Sequence, residues 1–216
     1  AVIKRAFLKF TGLSGTADPD YTVSFIRNPA AIAGLGSETY VFSVAAGVSA
    51  QIGLITIDGS ITGTDLNSGN YTTDQSALTT DQWTVQRRAV LSITVVRADS
   101  TVISTGQNGV LVTMVVSNQG DAAAGIKQAG LKFTSSAGDG SGSYTVSVVA
   151  MPATIAGLGS DTCIFSVSVS GSAQTGLITI DGSITGTDFV SGSYTTDQSA
   201  LTTDQWTVQR RAVLSI

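Results

Sequence analysis

Tyr71–Ile93 reads YTTDQSALTTDQWTVQRRAVLSI, and Tyr194–Ile216 repeats all 23 letters without a change. Working outward, residue n set against residue n+123 brings Ala1–Ile93 onto Ala124–Ile216 without a gap, with 66 of 93 positions identical. Identity is 17 of the first 33 positions and 49 of the last 60, so it concentrates towards the repeated stretch. The period is too long for a solenoid repeat of roughly 20–50 residues. It suits a free-standing β-sandwich of about 100 residues. Read in this register, the quoted stretch spans a closing strand, a boundary and an opening strand. A complete unit is expected at 89–211, a unit lacking its first two strands at 1–88, and the start of a following first strand at 212–216. Unit 1 has no counterpart of Ala89–Ala123. A sandwich without those strands leaves a core face and strand edges open, so a segment elsewhere is expected to supply them.

Strand signals run through the complete unit. Leu91, Ile93 and Val95 alternate with Ser92 and Thr94, the pattern of a half-buried strand. Val110–Val116 (VLVTMVV) places Val112, Met114 and Val116 on one face before Asn118, Gly120 and Asp121 break it. Ile126–Thr134, Tyr144–Val149, Cys163–Val169 and Gly176–Ile184 follow, and Trp206 with Val208 marks the last strand. Asp99–Gly109 reads as polar turn, Ala137–Ser143 (AGDGSGS) as a flexible loop, and Ser191–Gln205 as a polar loop or short edge segment. No stretch of useful length has the 3.6-residue period of an amphipathic helix. Seven or so short strands with turns between them predict an all-β chain of tandem immunoglobulin-like antiparallel β-sandwiches. A closed barrel or a jelly roll reads similarly.

Composition narrows the function classes. Charged residues are 12% of the 216, about half of the usual share. Net charge is −4 with no basic cluster, which argues against nucleic acid as a partner. No apolar run approaches the ~20 residues of a membrane-spanning helix, and Lys4 and Arg5 interrupt the first apolar residues. Cys163 is the only cysteine, so no intrachain disulfide forms, and its counterpart Tyr40 marks the position as core. Histidine is absent, which removes the commonest general base and metal ligand.

The pattern Ser104-Thr105-Gly106-Gln107, then VLVTMVVSNQGDAAA (Val110–Ala124) and the closing Trp206-Thr207-Val208, resembles the cell-adhesion-related (CARDB-like) Ig-like repeats of large bacterial and archaeal surface proteins. The resemblance covers unit 2 and the later strands of unit 1. It implies an extracellular β-sandwich used as a stalk or adhesive module, and no catalytic residue comes with it.

Among candidate sites, TIDGSITGTD supplies Asp58 and Asp65, repeated as Asp181 and Asp188. Clustered carboxylates are calcium ligands, with Asp74, Asp81, Asp197 and Asp204 nearby in sequence; the alternative role is to cap turns through backbone N–H groups. The seven-residue spacing lacks the EF-hand order. Paired acids also serve glycosidases, but Trp83 and Trp206 read as core rather than as sugar platforms. Arg87, Arg88, Arg210 and Arg211 fall at the unit crossings, as junction contacts to acidic loops or as solvated charges. Asn70-Tyr71-Thr72 is a glycosylation sequon that the second copy lacks. No cofactor is expected apart from calcium at those aspartates, and no enzyme activity. The leading expectation is a structural or adhesive segment of a secreted, cell-surface protein, stacking with itself into a stalk, surface layer or fibre. The alternatives are a module binding surface glycans or proteins through Ser14–Asp20 and Ala137–Ser143, or accessory domains of a larger secreted enzyme.

Overall fold

The computed structural model describes residues 1–212. These residues form strands and turns, with single 3-10 turns at Asp18–Asp20 and Ser141–Ser143 and no α-helix among them. The chain divides into two units between Gln86 and Arg87, two residues before the expected boundary. Arg87 belongs with the second unit because its guanidinium forks onto Asp121 at 2.9 and 3.0 Å. Its carbonyl also accepts the N–H groups of Asp121 and Ala122. Of the expected opening strand at 212–216, residues 213–216 lie outside the described residues.

The first unit contains β1 (Val2–Gly12), β2 (Gly15–Thr16), β3 (Tyr21–Arg27), β4 (Val41–Ala46), β5 (Gly53–Thr64), β6 (Tyr71–Asp74) and β7 (Asp81–Val85). One sheet has the order β2-β1-β5-β6, with β7 also on β5, and β3 and β4 pair alone. The second unit contains β8 (Leu91–Ala98), β9 (Val102–Ser104), β10 (Val110–Asn118), β11 (Ala124–Ser135), β12 (Gly138–Asp139), β13 (Tyr144–Ala150), β14 (Thr154–Ile155), β15 (Ser160–Val169), β16 (Gly176–Asp188), β17 (Tyr194–Asp197) and β18 (Asp204–Gln209). Its sheets are β13-β15-β10-β8 and β12-β11-β16-β18-β9, with β14 on β11 and β17 on β16. Among the described residues every strand pair is antiparallel except β9 with β18, which run parallel.

Period-2 alternation gives each long strand of unit 2 one apolar face. Val112, Met114 and Val116 on β10, Cys163, Phe165 and Val167 on β15, and Ile178, Ile180 and Ile184 on β16 join a single buried cluster. Phe133 stacks on Tyr144 (4.2 Å) and on Trp206 (5.6 Å), which also meet each other at 5.7 Å. Gly182 provides a notch on β16: a Cβ there would stand 2.6 Å from Met114 Sδ and 3.2 Å from Ile93 Cδ1. β8 and β10 thus close this core. Burying Leu91, Ile93, Val96, Val112, Met114 and Val116 contributes, at roughly 1.5–3 kcal/mol per side chain, about 9–18 kcal/mol gross. That is of the same order as the net stability of a whole domain.

Three details differ from the sequence reading. Val95 is exposed and Val96 buried, because the β8–β10 register slips between Val115↔Val95 and Val116↔Ile93. Thr94 is the extra residue of this bulge and reverses the inside–outside phase beyond it. Asp99–Gly109 contains β9, a strand too short to show alternation. Ala137–Ser143 is a built hairpin rather than a flexible loop: Phe133 N–H donates to Ser141 Oγ, and Gly140 N–H donates to the Phe133 carbonyl. The differing loop of unit 1 has the same plan, with Asp18 Oδ1 accepting from Phe10 N–H.

Unit 1 shares a framework with unit 2. β1 pairs β5 in the register of β11 with β16, including the irregularity after Ile3 and after Ile126. The stack of Phe10, Tyr21 and Trp83 repeats that of Phe133, Tyr144 and Trp206 within 0.2 Å in its centroid spacings. Nothing in unit 1 corresponds to β8, β9 or β10, three strands where the sequence reading expected two, because the short β9 lies in the stretch read as turn.

Candidate functional site

The side chains of unit 2 that do the most specific work receive strand β8. Asp188 Oδ2 accepts from Ala89 N–H (2.6 Å), Thr195 Oγ1 from Leu91 N–H (3.0 Å), and Asp197 Oδ2 from Ile93 N–H (2.7 Å). Asp204 Oδ2 then takes Ala98 N–H (2.7 Å), and the Thr202 carbonyl takes Val96 N–H. These acceptors sit about 100 residues along the chain from the strand they hold. They satisfy an edge that would otherwise present free backbone donors. Asp188 is buried, and burial pushes its carboxyl upward, but the N–H groups of Ser191, Ala89 and Val190 outweigh this and hold it below the ordinary range.

The same four side chains stand in unit 1 as Asp65, Thr72, Asp74 and Asp81, all exposed. Their carboxylates accept only local N–H groups: Asp65 from Asn67 and Ser68, Asp74 from Ser76, Asp81 from Gln82. Beside them lies an open groove of about 240 Å³ bordered by Ala6, Leu8, Tyr40, Phe42, Gly59 and Ile61. A Cβ on Gly59 would meet nothing within 4 Å, where Gly182 is crowded by Met114, Ile93 and Val96. Phe42 and Val44 are half-buried where Phe165 and Val167 are fully enclosed. β4 also has six residues against ten for β15, because Ser160–Cys163 are paired by β10.

The calcium candidates do not converge. Asp58 and Asp65 are separated by seven residues of extended chain, roughly 23 Å at ~3.3 Å per residue, as are Asp181 and Asp188. Asp58 Oδ1 accepts from Ala77 and Gly59 N–H, and the Ala77 bond leads in holding its carboxyl below the ordinary range. Asp181 Oδ1 accepts from Ala200 and Gly182 N–H. Among the described residues no three acidic, histidine or cysteine side chains gather as a metal set.

At the crossings, the Arg87 guanidinium holds the Asp121 carboxyl down to about 2. Arg88 contributes its carbonyl, which packs so close to Gly120 that a Cβ there would stand 1.9 Å away. Arg210 and Arg211 border a polar cleft with Thr105, Ser172 and Gln174, and Arg211 N–H donates to Thr105 Oγ1 (3.3 Å). Cys163 is enclosed, and burial pushes its thiol up to about 11. Trp206 is enclosed and Trp83 half-buried; Asn70 of the sequon is exposed. No described helix is long and apolar enough to cross a membrane. The receiving role of Thr195, Asp197 and Asp204 was not read from the sequence. Their signal was the exact retention of YTTD and TTDQW in both copies. No family model matches the chain, and no curated protein matches it.

Proposed function

We propose that the chain is a load-bearing segment of an extracellular or cell-surface protein, built from tandem Ig-like sandwiches that stack into a stalk, surface layer or fibre. The sheet order supports the Ig-like reading. Lettered along the chain, β8, β9, β10, β11, β13, β15, β16 and β18 become A, A′, B, C, D, E, F and G. The sheets then run A-B-E-D and A′-G-F-C, the immunoglobulin order. The resemblance to CARDB-like repeats points the same way.

One observation carries the mechanical role: β9, near the start of unit 2, lies parallel to its last strand β18. Val102, Ile103 and Ser104 pair with Thr207, Val208 and Gln209. Thr207 N–H donates to the Thr101 carbonyl and Thr105 N–H to that of Gln209. Tension between the two ends of the unit pulls these parallel strands in opposite directions. It loads their hydrogen bonds together, in shear, rather than opening them one by one.

Pulling the full chain by its ends in a single-molecule force experiment is expected to give one high-force event. The accompanying lengthening is about 40 nm, the extended span of ~120 residues at ~3.3–3.6 Å each. Gradual low-force extension of unit 2 would overturn the reading. Specific binding on a glycan array by a mechanically weak chain would replace it with the carbohydrate-binding alternative.

A further inference from the structure

We infer that unit 1 is a strand receptor: the edge of β4, the groove over Gly59 and the acceptors Asp65, Thr72, Asp74 and Asp81 together bind a segment with the chemistry of Ala89–Asn118, the stretch that forms β8, β9 and β10. The inference rests on reading both units as copies of one sandwich, and it does not depend on the load-bearing role.

The occupant is specified by what covers the same face in unit 2. There, β10 pairs with Ser160–Val167 of β15; the corresponding edge of unit 1 is 37–44. β10 also lays Met114 over Gly182, beside Ile93 and Val96 of β8. The counterpart notch at Gly59 is vacant. Gly157 repeats the lesson, since a Cβ there would meet the Asp121 carbonyl at 1.8 Å, whereas its counterpart Gly34 has nothing within 4 Å.

The polar half of the receptor agrees with the apolar half. Asp188, Thr195, Asp197 and Asp204 take the N–H groups of Ala89, Leu91, Ile93 and Ala98. That array selects an extended backbone offering N–H groups at this spacing. Small residues in the place of Ala89 and Ala98, branched or aliphatic ones in the place of Leu91, Ile93 and Val96, and an unbranched side chain opposite Gly59 complete the description. This is β-strand addition, in which backbone pairing supplies affinity and alternate side-chain pockets supply specificity.

The test uses the full chain and a fluorescent peptide with the sequence of Ala89–Asp121. Saturable one-to-one binding is expected, with hydrogen-exchange protection gained over 37–44 and unchanged over 160–167. Gly59→Leu, whose side chain enters open space in the free protein, is expected to weaken binding at least tenfold without altering the melting of either unit. Asp81→Ala is expected to weaken it about threefold to tenfold. To remove any dependence on the free peptide staying monomeric, the segment extended to residues 89–123 is also fused ahead of Ala1, where protection over 37–44 is again expected.

Absence of protection in both formats, equal binding of a scrambled peptide, or undiminished binding by the Gly59→Leu chain would each overturn the inference. Protection in the fusion alone supports it and assigns supply to the covalent arrangement. Because the force experiment reads unit 2 and this one reads unit 1, either can fail while the other stands.

Discussion

Phe42 and Phe165 hold the same place in the same sequence frame, each on a strand that alternates apolar with polar residues. Phe165 is fully enclosed, while Phe42 borders a groove. The contrast repeats at Asp65 and Asp188, one exposed and one 2% accessible, and at Gly59 and Gly182, one facing open space and one a filled notch. The letters are shared, but the environments are not. Burial in this fold is conferred by a strand pair that lies elsewhere in sequence. A strand's own pattern states which face is ready to be covered and leaves open what covers it.

The largest expected difference comes from cutting the two phenylalanines. Phe165→Ala should cost unit 2 about 3–5 kcal/mol through lost packing and a residual cavity, whereas Phe42→Ala should cost unit 1 about 1 kcal/mol or less. Trp83 and Trp206, one per unit, make the two unfolding transitions separable by fluorescence once either is replaced by Phe. Equal costs would mean that both faces are covered alike.

Next in size is the receiving carboxylate. Asp188→Ala leaves the Ala89 and Val190 N–H groups without their acceptor, at about 1.5–3 kcal/mol, measured by urea unfolding. Asp65→Ala, which loses only exposed turn bonds, should cost clearly less.

Much of this was readable in the residues. The 123-residue register follows from duplication and the strand-rich pattern from alternation, as in Cys163–Val169 against Tyr40–Ala46. Other features were not, and for physical reasons. The Val95/Val96 reversal depends on a bulge, which shifts phase without changing composition. β9 has three residues and no period to detect. Asp188, Asp197 and Asp204 look like turn residues or metal ligands locally, because their partners lie about 100 residues away and are joined to them only by folding.

A smaller effect separates the crossings by pH. Asp121 titrates at about 2 beside Arg87, below the ~3.9 of a free aspartate. Its folded pKa is depressed, so its contribution is fully present above about pH 4 and is lost as pH falls towards 2. Arg87→Ala should raise the Asp121 value towards 4, read by NMR titration of its carboxyl carbon, and should flatten the acid limb of unit 2 stability. An unmoved value would show that the fork does not set it.

The mildest probe is chemical. Cys163 should resist thiol reagents at pH 8 until unit 2 unfolds, since it is enclosed and its thiol is held near 11. A Tyr40→Cys chain should label rapidly at the half-buried counterpart while still folded.

The most direct test of the account is hydrogen exchange on the unmodified chain, comparing 37–44 with 160–167. β10 pairs every residue of 160–167, whereas β4 is paired by β3 alone, so the account predicts slow exchange across 160–167 and fast exchange for the edge-facing amides of 37–44. Matching protection in the two segments would contradict it, since it would mean that unit 1 is closed without the strands that close unit 2.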